Sequence, residues 1–361
     1  MNKPNQPDDR RLNKVSLIWW CVRLAHLLAI SSVLIANRVA AQIVPDDTLG
    51  NERSVVESIN TTEDRITGGA RRDRNLFHSF REFNIGEGRQ LYFANPSDVS
   101  RILTRVTGGS PSNLLGTLGV RGGADLVLMN PNGVVFGENA RLDVQGSLMV
   151  TTANAIQFGE QGFFSATNPE TPSPLLTIDP SALWFNQLAI APIIHRSRSP
   201  ISIEPPGFSE TFGLQMPDGR SLLFAGGNIT LDGGGIVAPG GQVSLVSVGA
   251  PGIVELFPQT ASLALNLPDS VPRGDVLLNS ASIIVAGNGS GNVTIQAENI
   301  DLSNNSPLEA GIASNLRTEN QQSGTIQLNA ADTIQINDYS YVENSVFSNG
   351  TGNSGSLILE A

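Results

Sequence analysis

Lysine, cysteine and histidine are almost missing from this chain. Among 361 residues only Lys3 and Lys14 carry an ammonium group, Cys21 is the single cysteine, and the histidines are His26, His78 and His195. One cysteine cannot close an internal disulfide. His78 and His195 lie far apart, without cysteine or acidic residues at ligand spacing, so no zinc site can be argued. No phosphate-binding loop occurs, and Ser354-Gly355 is a turn rather than a nucleophile elbow. Aromatic residues are scarce, with 3 Trp and 3 Tyr, so any core must be built from Val, Ile and Leu. Sustained helical periodicity is absent after Gln42.

The amino terminus has a character of its own. Lys3, Arg10, Arg11 and Lys14 form a basic leader, Leu27–Ala36 is an uncharged apolar run, and Val39-Ala40-Ala41 offers the small residues a signal peptidase reads. Residues 1–41 are expected to be a signal peptide cleaved between Ala41 and Gln42. The alternative, a membrane anchor beginning at Val15, is interrupted by Arg23 and His26, which leaves too short an uncharged span. The first 41 residues hold 6 of the 22 basic and 2 of the 33 acidic residues, leaving 16 against 31, a net −15 carried with arginine as the sole cation. Such a surface repels nucleic acid and anionic lipid. With Cys21 in the leader, the exported chain has no disulfide to jam a narrow pore if it crosses a second membrane unfolded.

What is present is a succession of very short strands and sharp corners. In Asn130–Ala153, Asn130-Pro131-Asn132-Gly133 is turn chemistry, Val134–Phe136 a strand, Gly137–Ala140 a turn, Leu142–Val144 a strand, and Leu148–Thr152 another. Similar runs recur at Leu126-Val127-Leu128-Met129, Ser221-Leu222-Leu223-Phe224, Val243-Ser244-Leu245, Val293-Thr294-Ile295 and Ile326-Gln327-Leu328. A weak repeat organises them. Gly274 is followed by Val276, Leu278, Ile283 and Val285, and Gly291 at the same offsets by Val293, Ile295, Ile300 and Leu302; Gly227, Gly324 and Gly355 lead related runs. Short strands on a repeating unit with no helices between them predict an all-β fold, a right-handed parallel β-helix with an amino-terminal cap. Asn168–Pro217 holds nine Pro and is expected to be an excursion outside the helix, anchored by Leu183-Trp184-Phe185, with an interdomain linker as the alternative. The expected divisions are a leader at 1–41, a β-helical domain at 42–250, and a repeat segment at 251–361 whose last residues, Gly355–Ala361, match only the start of a repeat.

Several stretches resemble a known family: "QIVPDDTLG" from Gln42, "FHSFREFNIGEGRQLYFANP" from Phe77, "RILTRVTGGSPSNLLGTLGVRGGADLVLMNPNGVVFGENARLDV" from Arg101, and "DPSALWFN" from Asp179. They are similar to the secretion domain (haemagglutination activity domain) of filamentous-haemagglutinin-type exoproteins, nearest the cyanobacterial branch. The resemblance implies a two-partner secretion system. Its secreted member is recognised in the periplasm by POTRA domains of an Omp85-type transporter and acts at the cell surface as an adhesin or haemagglutinin toward a glycan or protein. From the charge balance and the lack of ligand clusters, no cofactor, no metal and no nucleic-acid partner is expected. The resemblance places the transporter recognition and turn motif on Asn113, Leu114, Asn130, Pro131, Asn132 and Gly133. The upstream Asn-Pro element falls on Asn95-Pro96, where Ser97-Asp98 departs from the family pattern.

Parallel β-helices also host polysaccharide lyases and hydrolases, which need clustered carboxylates on neighbouring coils. Asp46-Asp47 is read as preceding the fold, and Asp125, Asp143 and Asp232 as isolated turn residues, so no enzyme is expected. "GGNITLDGGG" from Gly226 lacks the spacing of calcium-binding glycine repeats. Arg71-Arg72-Asp73-Arg74, the one basic cluster, is read as a solvated loop, or else as a contact for an acidic transporter face or a glycan. The rival readings are a secreted β-helical carbohydrate-active enzyme and the carrier part of a toxin.

Overall fold

A computed structural model describes residues 42–361 except 203, 209–210, 259–262 and 290. The expected signal peptide, with Ala41, lies outside the described residues. Among the described residues, apart from one turn of 3-10 helix at Gly50–Glu52, every regular element is a strand.

The strands stack into three faces. Face one runs through Asn75–Phe83, Arg101–Val106, Asp125–Met129, Leu148–Thr151, Leu222–Gly226 and Gln242–Ser247, then into the first part of Asn292–Ser303 and of Ile326–Ile336, ending at Leu357–Glu360. All these pairings are parallel and in register. Leu76, Ile102, Leu126, Leu148, Leu222, Val243, Val293, Ile326 and Leu357 form one continuous aliphatic ladder. Face two stacks Ser112–Leu114, Val134–Phe136, Ile193–His195, Ile229–Asp232 and Val276–Asn279, and then the second halves of the same two long strands. Face three has an early block, from Glu63–Gly68 to Arg141–Asp143, and a late block, from Leu214–Gln215 to Tyr341–Val346. The chain is thus a parallel β-helix, and its backbone groups are satisfied from coil to coil. Corners in the later coils use the left-handed region at Asn304, Asn305, Asn315 and Asn349, all with φ between 55° and 62°. Asn tolerates that region because its short amide bonds the local backbone.

The amino-terminal end is closed by antiparallel strands. Ile43–Pro45 lies against Asn75–Phe83, and Ser54–Ser58 against Glu63–Gly68, so the first coil has no open edge there. Asp46 belongs to this cap, contrary to the expectation that Asp46-Asp47 precedes the fold.

Two excursions leave the corner between faces one and two, after Thr151 and after Ser247. They build a five-stranded antiparallel side sheet in the order Phe163–Ser165, Ala155–Gln157, Ala182–Phe185, Gly252–Pro258, Leu263–Asn266. This sheet covers the outer side of face one and creates a second core, in which Phe77, Leu103, Val127, Met149 and Leu223 meet Ile156, Phe158, Phe164, Leu183 and Val254. The face-one strands from Arg101–Val106 to Gln242–Ser247 are therefore buried on both sides, whereas the later ones alternate or are exposed. This is why Leu126-Val127-Leu128-Met129 is continuously apolar rather than alternating. Two sequence expectations are corrected. The proline-rich stretch 168–217 is not one excursion, because Ile193–His195 returns to face two and Leu214–Gln215 to face three. Within the expected anchor, Leu183 and Phe185 are buried but Trp184 points outward.

Candidate functional site

Asn130–Gly133 is the corner that turns the third coil from face one to face two. Gly133 adopts φ +108°, a conformation a β-branched residue rarely reaches, and an added Cβ would sit 3.1 Å from the Pro192 carbonyl. Asn130 is fully buried. Its Nδ2 donates to the Ser112 Oγ at 2.9 Å and the Ser110 carbonyl at 3.1 Å, and its Oδ1 accepts from the Asn132 backbone N–H at 2.9 Å. Asn132 Nδ2 reaches back to the Gly108 carbonyl at 2.7 Å. Both amides therefore tie this corner to the one beneath it. Pro131 is buried between them.

Asn113 and Leu114 sit one coil earlier on face two. Leu114 is an interior core residue, whereas Asn113 is half-buried and donates its backbone N–H to Asn84 Oδ1 at 2.9 Å. The Asn84 N–H in turn donates to the Gln42 carbonyl at 3.1 Å, so the first described residue is linked to the second coil through two asparagines. Asn95, with its amide turned so that the oxygen accepts from Ala124 and Gly123 N–H and the nitrogen donates to Pro96 and Val99 carbonyls, holds a corner in the same way. The motif residues thus fall on stacked corners and face two of adjoining coils, and they spend their polar groups within the fold.

The strongest polar cluster is one the sequence does not reveal. Asp46 Oδ1 accepts from Thr48 N–H at 2.9 Å and Thr48 Oγ1 at 2.6 Å; its Oδ2 accepts from Ser79 Oγ at 2.8 Å and Thr107 Oγ1 at 2.6 Å. Burial alone pushes this carboxyl up, but the bonds from Thr107, Thr48 and Ser79 outweigh it and hold it below its ordinary value. Arg105, almost wholly buried, donates to Ser79 Oγ at 2.9 Å, Thr48 Oγ1 at 2.8 Å, the Ser165 carbonyl at 2.8 Å and the Glu170 carbonyl at 2.9 Å, with its guanidinium 4.5 Å over the Phe164 ring. Burial lowers its pKa to about 10, against the opposing charge of Asp46. Arg101 bonds Asp179 at 2.8 Å, and Arg72 bonds the Pro172 carbonyl at 2.8 Å and pairs with Glu52 at 2.8 Å. Three arginines from the first coils therefore clamp the segment 165–179 onto the cap. Of the expected basic loop, Arg72 is turned inward, while Arg71 and Arg74 are exposed.

The carboxylates weighed for catalysis are employed structurally. Asp143 accepts from Tyr92 OH at 2.8 Å, Asp125 from the Ser147 N–H at 2.8 Å, and Asp232 from Asn279 Nδ2 at 3.1 Å. His78 and His195 lie inside the coils, where burial lowers their pKa to about 3 and about 4, for His195 despite its bond to the Gly235 carbonyl. Among the described residues no group of His, Cys, Asp and Glu could hold a metal ion, and no helix is long and apolar enough to cross a membrane.

A family model described as TPS secretion domain matches residues 41–295. A heme/hemopexin-binding protein of Haemophilus influenzae is 30% identical over 115 residues, 32% of this chain and 11% of the relative. Another heme/hemopexin-binding protein of that organism is 32% identical over 91 residues, 25% of this chain and 10% of the relative. The match thus spans about a tenth of the length of these curated relatives. Among solved structures, the HMW1 secretion domain from Haemophilus influenzae aligns with a TM-score of 0.46 at 13% identity, covering 88% of this chain and 100% of that one. The filamentous hemagglutinin secretion domain aligns with a TM-score of 0.36 at 14% identity, covering 88% and 99%.

Proposed function

Because this chain belongs to the TPS secretion domain family, we propose that it is the secreted member of a two-partner secretion system. It is bound in the periplasm by POTRA domains of an Omp85-type transporter, crosses the outer membrane, and acts at the cell surface as a non-enzymatic adhesin of the haemagglutinin type, near the cyanobacterial branch. The observation that carries this reading is the family match over residues 41–295, which takes in the cap, Asn113-Leu114 and the Asn130–Gly133 corner. In the proposed division, residues 1–41 address the chain to the periplasm, 42–250 form the secretion domain, and 251–361 begin a stalk.

The placement of the motif supports a specific role for it. Asn130, Pro131 and Gly133 are buried once the corner forms, so a transporter meets them only while the coil is open. Their contribution after export is to restart the coil. A chain with no cysteine beyond residue 41 and a net −15 suits passage in an unfolded state. The experiment is to immobilise the POTRA region of a candidate transporter. Chain freshly diluted from denaturant is expected to be retained, and retention is expected to fall as the chain folds. Failure to retain the unfolded chain would contradict the reading.

A further inference from the structure

The outer surface of the side sheet carries a feature independent of export. Strand register places Phe163, Gln157, Ala182 and Glu255 in one row across four strands. Ala155, Trp184 and Ile253 form the next row, on the side opposite the buried Phe164, Ile156, Leu183 and Val254. Phe257 follows Glu255 on the same face by strand alternation. Ala155 and Ala182 face outward yet are buried, so the larger residues roof them. Those larger residues remain open to solvent: Trp184 and Ile253 are 36% exposed, and Phe163 and Phe257 47%.

This surface is rigid. Phe163 and Trp184 meet edge to face, with centroids 5.2 Å apart and planes at 86°. Trp184 Nε1 donates to Gln157 Oε1 at 2.7 Å, and Gln157 Nε2 donates to the Gly159 carbonyl at 2.9 Å, which fixes the indole. At the margin, Asn266 Nδ2 donates to Glu255 Oε2 at 3.1 Å, leaving the other oxygen of that carboxylate and the second amide hydrogen for a ligand.

We propose that this face binds a neutral polysaccharide. A hexopyranose presents a band of polarised C–H groups that packs on an aromatic ring, and a rim of hydroxyls that bonds amides and carboxylates. Exposed, preoriented rings edged by such groups match that chemistry. The inference deepens the adhesion reading by naming a partner class and the residues that hold it. Two observations select this occupant. The four apolar side chains expose roughly 350 Å², judged from 150–250 Å² per aromatic residue, against about 800 Å² per partner in a stable protein interface. The net −15 beyond residue 41 opposes both an acidic sugar and a second copy of the chain. Because the Phe163 and Trp184 rings are already fixed, binding forfeits little of their rotamer entropy.

Trp184 is the single tryptophan beyond Trp19 and Trp20, which makes it its own reporter. In the full chain carrying Trp19→Phe and Trp20→Phe, its emission is expected to shift saturably with hydroxyethylcellulose or galactomannan, and not with alginate. In native gels containing the responsive neutral polymer, Trp184→Ala and Phe163→Ala are expected to weaken retardation about tenfold, the loss of a hot-spot contact. Trp184→Phe, which keeps a ring, is expected to retain most of it, and Leu188→Ala, at a residue 90% exposed and outside the registered rows, to change nothing. Far-UV circular dichroism checks that each variant is folded. The proposal is overturned by any of three results: no response to either neutral polymer, equal binding of alginate, or retardation that folded Trp184→Ala and Phe163→Ala leave intact. It is also overturned by a concentration-dependent dimer that these variants dissolve, which would assign the face to a second copy. None of these measurements involves a transporter, so failure here leaves the export reading standing, and failure of export leaves this one.

Discussion

Asn132 and Gly133 show how much one corner asks of two residues. Gly133 holds φ +108° under the Pro192 carbonyl, and the Asn132 amide closes a bond to the Gly108 carbonyl of the coil below at 2.7 Å. Replacing both with valine forces a β-branched residue into a region that costs about 1–3 kcal/mol and loses a hydrogen bond worth about 1 kcal/mol. The double variant is expected to accumulate in the periplasm in a protease-sensitive form, and export at the normal level would remove the corner from the mechanism. Arg105 is a harsher case, because it is buried and four of its five donors serve cap, coil and side segment together. Arg105→Ala is expected to lower stability by about 3–5 kcal/mol in urea unfolding, the range for breaking a buried charged network. Arg105→Lys should recover little, since an ammonium cannot reproduce the fork; full recovery would reduce the role to charge alone.

At the level of elements, the local signals were legible and the distant ones were not. Gly291 followed by Val293, Ile295, Ile300 and Leu302 gives two short strands by spacing, and these are the two halves of Asn292–Ser303, one on each of faces one and two. The Asn130–Gly133 turn was equally readable, because Asn, Pro and Gly carry their backbone preference with them. The second core was not. Leu183-Trp184-Phe185 reads as one apolar block, and only pairing with Ala155–Gln157 and Gly252–Pro258 reveals that Trp184 faces the other way. Asp46 and Arg105 stand 59 residues apart in the sequence, and no local pattern brings them together. The packing of the side sheet through Leu183 has a direct test. Leu183→Asp would bury a charge between it and face one, and limited proteolysis is expected to cut within 152–192. Leu188→Asp, on an exposed residue, is expected to leave the segment resistant. Equal resistance of the two would mean the side sheet is not anchored through Leu183.

At the scale of the whole molecule, the interior of a β-helix is one long apolar column, and two histidines are sealed within it. Unfolded, each takes up a proton near pH 6.5; folded, His78 does so only near 3 and His195 near 4. The unfolded state therefore binds more protons throughout that interval. Stability is complete above about pH 6.5 and falls as the pH drops toward the folded values. Asp46, held below its ordinary value, adds its own loss at the acid end as it is protonated. A thermal melt at pH 4 is expected to lie well below that at pH 7, by the equivalent of a few kcal/mol, and His78→Leu should flatten the dependence. A pH-independent melt would contradict neutral burial of these rings. The most direct test of the account is secretion itself: the full chain expressed with and without a candidate Omp85-type transporter, and assayed in the medium, the periplasm and the cell surface. Folded, protease-resistant chain is expected outside the cell only when the transporter is present. Release at the same level without it, or retention in the periplasm alongside every cognate transporter tried, would contradict the central claim.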